Sequence, residues 1–131
     1  MGSCNDEYNG VVVTLIKTTV VTPASKTICS GANVNHTITT NNDGLTPAPT
    51  FAWTASVTSG AATGFTASGT GNFINDVLIN TVRTVTSTVT YRITPTTNGC
   101  PGTPYDFVVT LPAVPIVTPL MIARLFAVAR R

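Results

Sequence analysis

Three cysteines are the side chains in this sequence best suited to covalent chemistry. Cys4, Cys29 and Cys100 form no CxxC pair, the spacing that zinc sites and thioredoxin-like sites use. Cys29 precedes the first clear strand of the body, and Cys100 lies in the turn 98–102 before the last strand. Both positions fit one end of the domain, so we predict a Cys29–Cys100 disulfide. Two separate, reduced thiols are the alternative, and Cys4 is left over in either case.

The sequence contains no recognisable set of catalytic residues. It has one histidine and five carboxylates, and it lacks GxSxG, HExxH and a phosphate-binding glycine loop. We interpret His36 as a partly buried structural residue on the apolar side of its strand. Asp43 and Asp76 are isolated, whereas Ca²⁺ takes roughly six to eight oxygen ligands, so a role in turns is favoured. We therefore predict a protein that is not an enzyme and has no cofactor or metal site.

Alternation of apolar and polar residues predicts the strands that must position any site. Residues 84–94 place apolar side chains on one face and five threonines with Arg92 on the other, which indicates a long antiparallel strand with one solvated face. Residues 51–58 and 105–111 show the same period of two. The inward positions supply the core, in which we expect Trp53, Val89, Tyr91 and Phe107.

Two other segments are less regular. Residues 10–22 are a β-branched run without clean alternation, which fits a strand buried on both faces or a strand that pairs with something outside the domain. Residues 72–80 fit a single helical turn or an irregular strand that crosses between sheets. In this segment we expect the side chains of Phe73, Val77 and Leu78 to point inward.

Strand spacing and composition indicate the class of fold. The predicted strands recur at intervals of roughly 8 to 12 residues without helical periodicity in the body, which indicates an all-β antiparallel sandwich. A length of 131 residues suits one domain. Threonine occurs 26 times, and only 9% of the residues are charged, against about 25% in a typical soluble domain. Such a hydroxyl-covered surface favours an exported protein, so we expect an extracellular or cell-surface location.

Positive charge is concentrated in the C-terminal tail. Arg124, Arg130 and Arg131 lie in the last eight residues, whereas residues 1–118 hold four basic and five acidic side chains. We expect no nucleic-acid partner, because phosphate binding needs clustered Lys and Arg. Residues 120–131 have the pattern of a short cationic amphipathic helix, too short to span a bilayer. Such a helix could dock on a membrane surface or on a partner. The favoured alternative is that these residues are an end beyond the natural domain boundary, so we do not expect the tail to contact a membrane.

Three stretches of the sequence resemble one repeat of the bacterial PKD-like domains. They are TICSG at 27–31, FAWTASVTSGAATGFTASGTGNFINDVLIN at 51–80 and VTYRITPTTNGCPGTP at 89–104. The resemblance implies an immunoglobulin-like sandwich of about seven strands, repeated in tandem in large surface and secreted proteins of Bacteroidetes-type bacteria. We therefore divide the chain into an N-terminal segment, 1–19, a tag or the strand of a preceding repeat; a sandwich domain, 20–118; and a cationic tail, 119–131.

Three functions are compatible with these observations. The leading hypothesis is a structural or adhesive repeat that acts as a spacer or stalk, with neighbouring repeats of the same polypeptide or identical subunits as its partners. The second is a module that binds surface glycans or proteins through an exposed aromatic or apolar patch. The third is a subunit of a strand-exchanged filament, in which residues 10–22 complete a neighbour's sheet.

Overall fold

The computed structural model describes residues 24–40 and 48–115, and this part of the chain is all-β with no helix. The N-terminal segment, the run 10–22, Cys4, Asp43, both predicted domain boundaries and the cationic tail lie outside the described residues. Ten strands are present, more than the expected seven, because several are only two or three residues long. They are β1 Ser25–Thr27, β2 His36–Thr37, β3 Thr50–Ser59, β4 Ala62–Thr63, β5 Ser68–Thr70, β6 Phe73–Ile74, β7 Ile79–Asn80, β8 Ser87–Thr97, β9 Cys100–Pro101 and β10 Tyr105–Leu111.

The main sheet has the strand order β1-β10-β8-β3-β5, and β9 pairs with the end of β8. Its centre consists of β3, β8 and β10, the three strands with the clearest alternation in the sequence. These strands are antiparallel, with Trp53 opposite Ile93 and Phe107 opposite Tyr91. The first strand departs from the predicted antiparallel arrangement: β1 runs parallel to β10, with Lys26 opposite Val109.

A second, irregular layer covers the inner face of the main sheet. It contains the pairs β2–β6 and β4–β7 and a single bridge between Asn33 and Val77. Residues 73–80 are extended, and their even-numbered side chains point inward, so Ile74 and Leu78 are fully buried. Phe73 and Val77 are 48% and 42% exposed. The prediction that these two side chains point inward is therefore wrong, whereas Leu78 does point inward.

Aromatic side chains from both layers form the centre of the core. Trp53 meets Tyr91 edge to face, with ring centroids 5.6 Å apart, and Tyr91 meets Phe107 at 6.0 Å. His36 of the second layer stacks on Phe107 at 3.8 Å. Val89 and these three aromatic residues of the main sheet belong to one buried cluster. The two layers and this shared core make the fold an immunoglobulin-like β-sandwich.

A buried amide fixes one end of the sandwich. The side-chain amide of Asn80 donates to the carbonyls of Val85 and Leu111, while its oxygen accepts from the N–H of Val82. The same oxygen lies 2.9 Å from the hydroxyl of Ser87, which is also fully buried. Because a buried polar group without partners costs about 1 to 3 kcal/mol, this network removes a penalty and ties the loop 81–86 to β10.

Candidate functional site

The predicted disulfide between Cys29 and Cys100 is wrong. Cys29 is a free, exposed thiol, and Cys100 has a partner other than Cys29. The parallel direction of β1 explains the error. Thr27 lies opposite Thr110 and hence beside Thr88, near the start of β8, so Cys29 follows at that end of the sheet.

Cys100 lies at the opposite end of the sheet. It pairs with Thr97, the last residue of β8. At ~3.4 Å per residue, the nine steps from Thr88 to Thr97 separate the two ends by about 30 Å. A disulfide needs Cα atoms within about 7 Å of each other, so Cys29 and Cys100 cannot bond.

His36 occupies a structural position at the layer interface. Its ring is stacked on Phe107 with an interplanar angle of 11°, and His36 belongs to no group of three or more potential metal ligands among the described residues. Burial lowers the pKa of His36 below its ordinary value of 6.5, and the positive charge of Lys26 lowers it further. Lys26 itself donates to the carbonyl oxygens of Val34 and Asn35. The neutral imidazole therefore acts as a packing surface.

Asp76 is the centre of a small polar cluster between the layers. Its carboxylate accepts hydrogen bonds from the backbone N–H and the hydroxyl of Thr66, each at 2.8 Å, and from the hydroxyl of Tyr91 at 2.7 Å. Burial, together with the adjacent carboxylate, raises the pKa of Tyr91 far above its ordinary value. Asp76 thus positions a loop against the core. The predicted role in a turn is not what the structure has, because Asp76 lies in the extended segment 73–80 and bonds to residues distant in the sequence.

The described residues contain neither a metal cluster nor a membrane span. No three of their His, Cys, Asp and Glu side chains lie close enough together to hold an ion. Within the same ranges, no helix has the length and apolarity needed to cross a bilayer.

A groove lies on the outer face of the main sheet. It consists of two adjoining depressions of about 390 and 470 Å³ that share Ala52 and Thr70. The small side chain of Ala52 forms the floor, between Thr94 on β8 and Thr70 on β5. A recess therefore follows β3 along the sheet, and we call it the β3 groove.

Polar side chains border the β3 groove on both sides. One row of side chains crosses four strands, because each residue is the register partner of the next. The row consists of Ser68, Thr54, Arg92 and Asp106. At ~4.8 Å between strands, the row is about 14 Å long. Arg92 and Asp106 form an ion pair of 2.9 Å, and both side chains are about half exposed, at 58% and 48%.

The sequence indicates the polar character of this surface, though not its shape. Alternation in 84–94 assigns Arg92 and the threonines to a solvated face, and the structure has them there. The groove itself arises because β5 pairs with β3 in one particular register, with Gly69 opposite Trp53. Residues 68–70 are a three-residue strand of small residues, for which alternation gives no signal.

The two-layer all-β core defines an immunoglobulin-like domain. The sequence profile of the PKD-like domain family matches residues 26–115, more than half of the chain, and the chain belongs to this family. PKD-like immunoglobulin folds are typically non-catalytic and usually occur in extracellular proteins. Neither a curated protein nor a solved structure matches the chain significantly.

Proposed function

We propose that this domain is a non-catalytic spacer in a large secreted or cell-surface protein, of the kind found in Bacteroidetes-type bacteria, and that its partners are neighbouring repeats of the same polypeptide. In such a protein the domain supplies reach and stiffness to an adhesive assembly. The family supports an extracellular structural role, and the geometry of the chain supports the spacer.

The observation that carries the proposal is the direction of the first and last strands. The chain runs through β1 and β10 in the same direction, because the two strands are parallel; Ser25 lies opposite Val108 in the middle of β10, and the chain leaves β10 at Leu111. The first and last described strands therefore direct the chain toward the same end of the sandwich. Copies joined head to tail continue in one direction under this geometry, whereas antiparallel first and last strands would fold them back.

The chain is tied to the body of the sandwich both before β1 and after β10. Just before β1, the hydroxyl of Tyr105 donates to the carbonyl of Ala24 at 2.6 Å. At the exit end, the N–H of Val114 donates to the carbonyl of Arg83 at 2.7 Å. These bonds limit pivoting where the chain enters and leaves, which a spacer that transmits direction requires.

Exposed apolar side chains at the exit end offer a contact for the next repeat. Val82 and Val85 belong to the loop before β8, and Val114 follows β10 and is bonded to the same loop. Burial of such a patch stabilises an interface by roughly 25 cal/mol for each Å² of apolar surface. A glycan-binding function is argued below from the β3 groove, which offers hydroxyls and an ion pair in place of the aromatic or apolar patch expected from the sequence.

Head-to-tail fusions of one, two and three copies of the full chain test the spacer. Small-angle X-ray scattering should show a maximum dimension that grows by at least the length of β8 per copy, about 37 Å for 11 residues at ~3.4 Å each. The Val85→Ser/Val114→Ser fusion is the matched variant, and it should be equally long on average but more flexible. Fusions that stay compact as copies are added would contradict the proposal.

A further inference from the structure

We propose that the β3 groove is a binding site for a neutral glycan chain. The inference goes beyond the spacer function and is independent of it, since the groove lies on a sheet face and the spacer depends on the two ends. It rests on the hydrogen-bonding capacity, the charge and the shape of the groove.

Side-chain hydroxyls around the groove have unused hydrogen-bonding capacity. Four of the residues that line the groove carry hydroxyls that bond to no partner within the described part of the chain. They are Thr54, Ser68, Thr70 and Thr94. Further along the same face, Thr58 lies 2.9 Å from the hydroxyls of both Thr88 and Thr90. These hydroxyls beyond the groove therefore satisfy one another. Within the groove, Thr50 donates to the carbonyl of Thr96, and the four hydroxyls named above are available to a ligand with many hydroxyls of its own.

Arg92 and Asp106 supply a paired donor and acceptor beside these hydroxyls. The ion pair joins one guanidinium nitrogen to one carboxylate oxygen, so the other N–H groups of Arg92 and the second oxygen of Asp106 face solvent. Two adjacent hydroxyls of a sugar match this pair, because one oxygen can accept from the guanidinium while its neighbour donates to the carboxylate.

Charge favours a neutral ligand over an acidic one. Arg92 and Asp106 are the only described charged side chains on this face, and they neutralise each other. A phosphate or a polyanionic chain would need additional cations. The charged groups thus provide directed hydrogen bonds without net attraction for anions.

The groove offers little to a protein partner. The exposed large apolar side chains of the described residues lie on the second layer and at the exit end. They are Phe73, Val77, Ile79, Val82, Val85 and Val114. Protein interfaces depend on aromatic and apolar anchors that become buried on binding. Trp53 and Phe51 line the groove but are already buried in the core, and the exposed side chains of the groove are small or polar. An extended chain of sugars, which binds through many hydrogen bonds, fits such a surface better.

The test is a titration of the full chain with cellohexaose and with mannohexaose as neutral probes, and with hexagalacturonate as an acidic probe. Calorimetry measures binding, and amide chemical shifts of the isotope-labelled protein locate it. We expect at least one neutral probe to bind, with shifts concentrated at Thr54, Thr94 and Ser68, and no detectable binding of the acidic probe.

Two pairs of variants test the location. Ala52→Phe fills the floor of the groove and should weaken binding at least about tenfold, whereas Ser56→Phe, at the first outward position of β3 beyond the groove residue Thr54, should leave it unchanged. Thr94→Val removes one hydroxyl and should weaken binding about fivefold, as expected for one hydrogen bond. Thr88→Val, outside the groove, is its control. Thermal unfolding of each variant verifies that the fold is intact.

The outcomes separate the alternatives clearly. A neutral probe that binds wild type and Ser56→Phe but not Ala52→Phe supports the proposal. Lack of binding by every neutral probe overturns it, as does preference for hexagalacturonate or equal weakening by Ala52→Phe and Ser56→Phe. Chemical shifts confined to the row Phe73, Val77 and Ile79 would also overturn it. Because the scattering experiment does not involve the groove, failure here leaves the spacer function untouched.

Discussion

Gly69 lies directly against the indole ring of Trp53, and the ring occupies the space that any side chain at position 69 would need. A Cβ at this position would stand 2.6 Å from Cη2 and 2.9 Å from Cε2 of the ring. Trp53 is buried, and its Nε1–H has no hydrogen-bond partner among the described residues. Packing against the β5 backbone therefore decides the position of the indole, since no hydrogen bond holds it.

Gly69→Ala should destabilise the domain by about 1 to 3 kcal/mol, the usual cost of overpacking a core. The physical reason is that the indole must move, because the β5 backbone is fixed by its pairing with β3. Urea unfolding followed by tryptophan fluorescence measures the change. Ser68→Ala, one residue earlier and exposed, should change the free energy of unfolding by less than about 0.5 kcal/mol.

A double variant tests the cause. Trp53→Phe provides a smaller ring, so Gly69→Ala should cost less in that background than in the wild type. Strictly additive effects would show that the alanine acts through the backbone and not through the ring.

Tyr91→Phe should reduce the free energy of unfolding by about 1.5 to 3 kcal/mol, the range for hydrogen bonds to charged groups. The substitution removes the 2.7 Å bond to Asp76 inside the core and keeps the ring contacts with Trp53 and Phe107. Tyr105→Phe, which loses a partly buried bond to a neutral carbonyl, should cost less.

Ultraviolet absorbance tests the contact between Tyr91 and Asp76 through the ionisation of the tyrosine. The pKa of Tyr91 lies well above its ordinary value because of burial and the adjacent carboxylate, so its phenolate should form only when the protein unfolds in alkali. Ionisation of all tyrosines before the loss of structure would contradict this assignment.

The long strands could be predicted from the sequence, and the short ones could not. Strands β3, β8 and β10 are 7 to 11 residues long, so a period of two is visible over several repeats. The second layer consists of two-residue strands, whose pairing partners decide which side chains point inward. Side chains of residues 73–80 point alternately inward and outward, but apolar residues occur at both odd and even positions. The sequence therefore does not show which set points inward, and in the structure it is the even-numbered set with Ile74 and Leu78.

The Cys29–Cys100 prediction failed for a topological reason. The sequence indicates that each cysteine lies next to a strand, but it contains no signal for the direction of β1 relative to β10. The parallel direction places Cys29 at the end of the sheet where β10 finishes, and Cys100 lies at the opposite end, beside Thr97. The β3 groove was missed for a related reason, since it depends on the lateral register of β5 against β3.

Cys29 should be modified by iodoacetamide in the native protein without prior reduction, because it is a free and exposed thiol. Peptide mass spectrometry of the labelled full chain identifies the site. Cys29→Ser should alter the free energy of unfolding by less than about 0.5 kcal/mol, as expected for an exposed position. A Cys29 that reacts only after reduction would point to a disulfide and against the structure.

The stability of the domain should fall with acidification because of His36. Its pKa is lower in the folded protein than the ordinary 6.5, so the unfolded chain binds more protons between the folded pKa and 6.5. The free energy of unfolding should therefore decrease as pH falls below about 6.5 and level off below the folded pKa. Urea unfolding at a series of pH values measures this dependence.

His36→Gln is the control for the acid dependence, since glutamine does not titrate. Lys26→Gln removes the neighbouring positive charge, so the pKa of His36 should rise toward 6.5 and the decrease should become smaller. If wild type and His36→Gln lose stability in parallel over this range, other groups carry the dependence.

The domain should unfold only at high force when it is pulled by its two chain ends. Pulling on the N-terminal side of β1 and the C-terminal side of β10 draws these parallel neighbours in opposite directions along their length. The ladder from Ser25 to Thr27 and the bond from the N–H of Ile28 to Thr110 are then loaded together and must break together. A load-bearing spacer requires this property.

Single-molecule force spectroscopy with two attachment geometries tests the contribution of the β1–β10 pair. Attachment at both chain ends loads the pair in shear, whereas attachment at the N-terminus and at Thr103, an exposed residue just before β10, peels β1 away one hydrogen bond at a time. We expect a clearly higher unfolding force in the first geometry. Equal forces would mean that β1 and β10 do not bear the load and that the spacer owes its strength to another part of the fold.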